Sequence, residues 1–297
     1  MRRGNMEKGS KAKGFTLVEL LITMVILSII AGAIITLGST YVLHFEQADD
    51  LSMARQRGIM VLTYLENRVL HAGLGMPEST DFANNFQDLL NGTHSAELTD
   101  FTHAVNITSG DRVLAIAYAL PSGLYTVDSH DCEYGVDVDV ELSSNVDTTK
   151  VTNDGNKTEG WVTFPAFGRA FLVKGVVGAT VTLEPKLEAF LPANDEMHYV
   201  RFLRAYAQGG KFYAEDVTRQ AAQPVVEGIV DAVFYWDEGT RTLTAAILAR
   251  GNTRKGVLIA PENLPGWEDA DGNPLTIPEE ARHYHLSVTR REWRLRN

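Results

Sequence analysis

Lys13-Gly14-Phe15-Thr16-Leu17-Val18-Glu19-Leu20-Leu21 opens an apolar run that continues to Leu43, and from Phe15 to Phe45 the only formal charge is Glu19. Such a run exceeds the roughly 20 residues that cross about 30 Å of hydrocarbon at ~1.5 Å per residue. It is too long for the apolar core of an ordinary secretory signal, and no small-x-small cleavage site follows it. Residues 1–14 hold Arg2, Arg3, Lys8, Lys11 and Lys13 against Glu7, whereas Glu46, Asp49 and Asp50 follow the run. The positive-inside rule therefore puts the leader in the cytoplasm and the body across the membrane. Glu19 is the anomaly. A carboxylate at the centre of a membrane helix costs roughly 2.5–3.5 kcal/mol on insertion scales, and less near the interface. It needs either a cation or the favourable dipole at a helix N-terminus.

Beyond Gln47 the pattern becomes amphipathic. Leu51, Ala54, Leu62, Leu65 and Val69 recur at helical spacing, with Arg55, Arg57, Glu66 and Arg68 on the polar faces. Gly73, Gly75 and Pro77 supply a stop, so one helix is expected from Phe15 to about Leu70. Gly32 and Gly38 lower its propensity and mark a candidate soft point.

The stretch from Lys13 to Leu21 resembles the class III signal of type IV prepilins and type II secretion pseudopilins. That resemblance implies cleavage between Gly14 and Phe15 by a membrane-embedded prepilin peptidase, with N-methylation of Phe15. It also implies that Glu19, fifth in the mature chain, pairs with the N-terminal amine of a neighbouring subunit during assembly.

The chain carries 27 Lys and Arg against 38 Asp and Glu, for a formal net charge of −11, and because the leader holds five of the bases and only one acid the remainder is more acidic still. An acidic body is poorly suited to broad contact with phosphate backbones. Cys132 is the only cysteine, which excludes an intramolecular disulfide. After the helix the chain reads as β-rich. Strands are expected at Arg112–Ala119, Val136–Leu142, Phe171–Val173, Ala179–Leu183, His198–Tyr206, Phe212–Val217, Val225–Trp236, Leu243–Arg250 and Tyr284–Trp293. Gln208-Gly209-Gly210-Lys211 signals a hairpin. Polar segments at 79–110, 143–160 and 251–280 read as long loops. The expected fold is α+β and pilin-like, an antiparallel sheet packed on the distal half of a long N-terminal helix. The expected divisions are a leader at 1–14, a transmembrane and assembly helix at 15–45, an amphipathic helix at 46–75 and a β-rich body at 76–297.

A looser resemblance covers the body. Arg68-Val69-Leu70-His71-Ala72-Gly73-Leu74-Gly75 is similar to the post-helix turn of PilW-like minor pilins. Val225-Val226-Glu227-Gly228-Ile229-Val230 is similar to a strand opening shared with J-type pseudopilins, and the Arg290–Asn297 ending resembles the PilW-like terminal strand. Region 76–195 carries no resemblance. These motifs imply a minor pilin of a type IV pilus, in a priming or tip complex, whose partners are other minor and major pilins and an inner-membrane assembly platform. A J-type pseudopilin of a type II secretion system is the alternative, followed by a membrane-tethered envelope adhesin or binding protein. The implied location is the inner membrane, single pass with a periplasmic body, and then the pilus at the cell surface, with membrane lipid around the helix.

Other candidate chemistry is sparse. Ser129-His130-Asp131-Cys132-Glu133 gathers ligand-type residues but reads as a polar surface turn, because no second Cys or His cluster converges on it. Asp269, Asp271 and Asn273 form half a calcium loop, with the oxygen spacing of an EF-hand unmet. His283 and His285 would share one face of an alternating strand. Arg290, Arg291, Arg294 and Arg296 around Trp293 make the one basic strand that could grip nucleic acid, or serve as a guarded sheet edge. Gly-x-Ser-x-Gly, phosphate-loop and His-Glu-x-x-His motifs are absent from the sequence, so no enzyme and no cofactor is expected.

Overall fold

Helix α1 runs from Leu17 to Leu70 in the computed structural model, which describes residues 16–76, 82, 86, 100–151, 160–166, 168–186, 188–217 and 220–295. The chain divides into two compact units, Met1–Asp49 and Asp50–Asn297. In the first, every described residue is exposed, including Leu17, Ile22, Leu27, Ile35 and Phe45. Its few hydroxyls are turned inward on the helix. Thr23 Oγ1 donates to the Glu19 carbonyl (3.0 Å), Ser28 Oγ to Met24 (2.8 Å) and Thr36 Oγ1 to Gly32 (2.9 Å). Polar side chains satisfied in this way are compatible with a hydrocarbon surround. The helix passes through Gly32 and Gly38 without interruption, and both face open space.

The second unit is organised by the rest of α1. Its buried residues Asp50, Ala54, Gly58, Val61, Leu62, Leu65 and Val69 form one stripe at three- and four-residue spacing. The expected stripe began at Leu51, which is instead 38 % exposed, and Asp50 takes the inward position at 3 %. The reason is a set of hydrogen bonds. Asp50 Oδ1 accepts from the amides of Asn252 (3.1 Å) and Thr253 (3.2 Å) and from Thr253 Oγ1 (3.1 Å). About two turns further on, Gly58 lies against Thr289, and a Cβ there would stand 2.8 Å from the Thr289 Cβ. α1 stops at Leu70, where Gly73 takes φ +70° and donates to the Ala117 carbonyl (2.9 Å). The turn thereby hooks the helix end onto the sheet.

Among the described residues fourteen strands follow, and every pairing between them is antiparallel. The larger sheet is built on β2 (Val113–Tyr125) and β9 (Glu196–Gln208), paired along nearly their whole length from Val113↔Tyr206 to Tyr125↔Glu196. β1 (Val105–Thr108) flanks β2. The other side of β9 branches. Its first half pairs β5 (Trp161–Phe164), which leads through β6 (Arg169–Val177) and β7 (Thr180–Pro185) to the edge strand β4 (Val138–Glu141). Its second half pairs β10 (Lys211–Asp216), which pairs β11 (Gln220–Glu227). β3 (His130–Cys132) and β8 (Ala189–Leu191) form a separate ribbon. The third sheet is β12 (Ile229–Asp237), β13 (Thr242–Arg250) and β14 (Leu286–Arg294), and a short helix α2 (Thr148–Val151) interrupts a loop.

One apolar cluster joins α1 to both larger sheets. Val61, Leu62, Leu65 and Val69 meet Leu114, Ile116 and Leu203 of the nine-stranded sheet and Phe234, Ala245, Ile247 and Trp293 of the three-stranded one. Each sheet is covered on its far side too. Ala115, Ala117 and Ala119 of β2 lie under Phe82, Phe86, Phe101 and Trp161, while Ala246 and Leu248 of β13 lie under Trp267 and Ile277. Strands buried on both faces read as continuous apolar runs, as both of these do.

Several expectations require correction. Val225–Trp236 is not one strand. Gly228, at φ +79°, ends β11 in the larger sheet and starts β12 in the smaller, and a Cβ there would come within 2.6–2.8 Å of the Arg57 guanidinium. The segment 79–110 contains β1 and three fully buried phenylalanines. The segment 251–280 lacks strands but carries buried Trp267 and Ile277, so it is a packed cover. The last strand begins at Leu286, because Glu279–His283 form a 3-10 helix. The hairpin at Gly209-Gly210 is present, with both glycines at positive φ, as a two-residue turn of type I′ requires.

Two stability outcomes follow from the helix stripe. Gly58→Val should destabilise the body by about 1–3 kcal/mol through overpacking against Thr289, read from denaturant unfolding of the micelle-held chain by tryptophan fluorescence. Asp50→Ala should cost about 1–3 kcal/mol by leaving buried donors unmet. It should also raise hydrogen exchange at the Asn252 and Thr253 amides.

Candidate functional site

Thr16 and Glu19 close a reciprocal pair at the start of α1. The Glu19 amide donates to Thr16 Oγ1 (3.3 Å), and Glu19 Oε2 accepts from the Thr16 amide (2.9 Å) and from Thr16 Oγ1 (2.9 Å). This is a capping box, in which a threonine N-cap and a glutamate three residues later satisfy orphan donors of the first turn. Glu19 thus lies where the helix dipole favours negative charge. Both bonds to the carboxylate use Oε2. Among the described residues Oε1 has no hydrogen-bond partner, so the carboxylate keeps an oxygen for a cation while capping its own helix. The Thr-x-x-Glu spacing is the sequence signal for this cap, beside the neighbouring amine and the helix dipole expected for Glu19. Gly14 and Phe15 lie outside the described residues.

The remaining candidates are scattered through the body. His130, Asp131 and Cys132 form β3, not a surface turn, and Cys132 is buried among Val140, Leu183 and Leu191. Its Sγ donates to the His130 carbonyl (3.8 Å), and burial pushes the thiol above its ordinary pKa. Those surroundings suppress a thiolate. Asp269 accepts through Oδ1 from the amides of Asp271 (2.9 Å) and Asn273 (2.7 Å) and through Oδ2 from Asn273 Nδ2 (2.9 Å). The Asn273 bonds hold its carboxyl below the usual range, and the loop is a self-bonded turn. Among the described residues, no three His, Cys, Asp or Glu side chains are grouped to hold a metal ion.

His283 ends the 3-10 helix with Nδ1 3.1 Å from the Lys255 carbonyl, and His285 precedes β14, so the two do not share a strand face. Along β14, Arg291 pairs with Glu66 of α1 (Nη1 to Oε2, 3.0 Å) and lies over Trp293. Arg290 reaches Glu292 at 3.4 Å, Arg294 is exposed, and Arg296 lies outside the described residues. One arginine of the basic strand therefore fastens helix to sheet. Arg57 does similar work from the helix side. Its Nη1 donates to the Arg250 carbonyl and its Nη2 to Asn252 Oδ1, both at 2.5 Å.

No curated protein and no solved structure matches the chain. A family model does: the prokaryotic N-terminal methylation motif, over residues 9–35. The matched span holds the Gly14-Phe15 junction, the Thr16–Glu19 capping box and the first part of a single helix long and apolar enough to cross a membrane. The chain carries the class III N-terminal methylation motif of prokaryotic prepilin-like proteins, which supports a membrane-anchored type IV pilin- or pseudopilin-like protein.

Proposed function

We propose that this protein is a minor pilin, a structural subunit of a type IV pilus that acts in the priming or tip complex for filament assembly. The observation that carries this reading is the Gly14-Phe15 junction with Glu19 at the fifth mature position, inside the matched motif. Prepilin peptidase cuts between Gly14 and Phe15 and methylates the Phe15 amine. The apolar half of α1 holds the subunit in the inner membrane with its body in the periplasm, and then packs among other minor and major pilins on the assembly platform. Glu19 is suited to set register. Its Oε2 caps its own helix, and Oε1 can receive the Phe15 amine of a neighbour. The ordinary role of the body is to choose neighbours, and catalysis has no part in this reading.

Two outcomes test it. Intact-mass and N-terminal analysis of protein from cells with active peptidase should show a chain beginning at N-methylated Phe15; a chain retained from Met1 would sink the proposal. Glu19→Gln keeps an acceptor for the Thr16 amide but removes the charge. It should lower incorporation by about tenfold or more, the factor corresponding to about 1.4 kcal/mol, because breaking a desolvated charge pair costs at least that. Normal piliation in that strain would remove the register role. Gene deletion that abolishes secretion of folded enzymes and spares twitching would instead favour the J-type pseudopilin.

A further inference from the structure

The loop after β13 carries Val257, Leu258 and Ile259, exposed by 68, 43 and 37 %. Among the described residues after Asp49 it is the only run of three consecutive exposed large aliphatics. Isolated exposed aliphatics are normal on a protein surface, whereas a contiguous patch marks an interaction site.

This patch is held outward by its backbone. On one side Thr253 is bonded to Asp50 and the Lys255 amide donates to the His283 carbonyl (2.8 Å). On the other, the amides of Ile259 (2.9 Å) and Ala260 (3.0 Å) donate to the Arg282 carbonyl, and Arg282 Nε donates to the Ala260 carbonyl (3.1 Å). Both flanks of the tip are thus tied to the body. Further along, the same segment buries Trp267 and Ile277, while these three stay outside.

We propose that the tip Val257-Leu258-Ile259 is a second lipid-contacting element, one that rests in the interface of the membrane to which the chain is anchored. The proposal depends on the anchoring reading given above. Two observations choose lipid as the occupant. Thr253 is bonded to Asp50, and Asp50 follows Phe45, the end of the charge-free run, by five residues, at most about 18 Å of chain. Thr253 is therefore tied by a short stretch of chain to the end of the charge-free run, and Leu258 follows it by five residues, at most about 18 Å more. The tip's leading flank carries the exposed cation Arg254. Cations beside an apolar wedge are the pattern by which surface elements bind anionic headgroups while aliphatics enter about 5–10 Å at the headgroup–acyl boundary.

The test uses the full chain in nanodiscs of phosphatidylcholine and phosphatidylglycerol. Single cysteines on a Cys132→Ala background carry an environment-sensitive nitrobenzoxadiazole probe at Leu258→Cys, Leu27→Cys or Glu238→Cys, with doxyl-lipid quenchers near the headgroup or at the chain centre. The expected result is fluorescence loss at position 258 that is greater with the shallow quencher, loss at position 27 that is greater with the deep one, and none at 238. Loss at 27 without loss at 258 overturns the loop proposal and leaves the anchor standing. No loss at 27 overturns both. A blue-shifted but unquenched probe at 258 assigns the tip to a protein neighbour and overturns the lipid assignment.

Discussion

One face of one helix closes the cores of two sheets. Ala54, Val61, Leu62, Leu65 and Val69 are buried along the distal part of α1, and the last four share a cluster with strands of the nine-stranded and the three-stranded sheets. A sheet must bury its apolar face against another layer, and here both use the same partner. The approach is close because Gly58 has no side chain where Thr289 of β14 arrives. Polar fasteners lie around this stripe: Asp50 to Asn252 and Thr253, Arg57 to Arg250 and Asn252, and Glu66 to Arg291. Each joins the helix to the three-stranded sheet or to the loop beside it, while the nine-stranded sheet is attached at the helix end through Gly73.

The same chain segment therefore serves two solvents. Up to Phe45 it offers an all-round apolar surface with inward-bonded hydroxyls, as a bilayer or a bundle of like helices demands. After Asp49 it buries one stripe and exposes the rest, as a globular core demands. The Thr16–Glu19 cap belongs to the first environment. A bare first turn would present orphan amides to the membrane interface, and the threonine–glutamate pair removes part of that cost within the helix.

What could be read beforehand followed the range of the forces involved. The helix from the apolar run to Leu70 was legible because hydropathy and helix punctuation are local. The centres of β2, β9, β10 and β13 were legible because strands buried on one or both faces keep apolar runs or alternation. Gly228 was misread: Val225–Trp236 is mostly apolar and β-prone apart from Glu227 and Asp231, and only the backbone torsion and the Arg57 guanidinium beneath it show that the strand must change sheets. Phe82, Phe86 and Phe101 lack a period, so their segment read as loop although they cover the alanine face of β2. Asp50 was hidden for the opposite reason. An acid beside a leucine on an amphipathic helix is ordinarily the outward residue, and its donors lie some two hundred positions away. At the helix start the charge of Glu19 stands out in an apolar run, whereas its cap depends on Thr16, an uncharged residue that hydropathy and charge do not single out.

The pairing of Tyr125 with Glu196 has a consequence for how this fold can change over time. Everything from Thr126 to Asp195 leaves the long β2–β9 ladder and returns to it at adjacent positions. That excursion carries most of a separate core, in which Val140, Val162, Phe171 and Leu183 pack together without any residue of α1. Outside β5, the strand of the excursion that pairs with β9, a segment whose ends already meet can be lengthened, trimmed or exchanged without altering the ladder that receives it. Selection can rewrite the excursion for new contacts while the helix stripe holds the remainder constant. Sequence divergence should therefore be concentrated between these two residues and should fall sharply on either side of them.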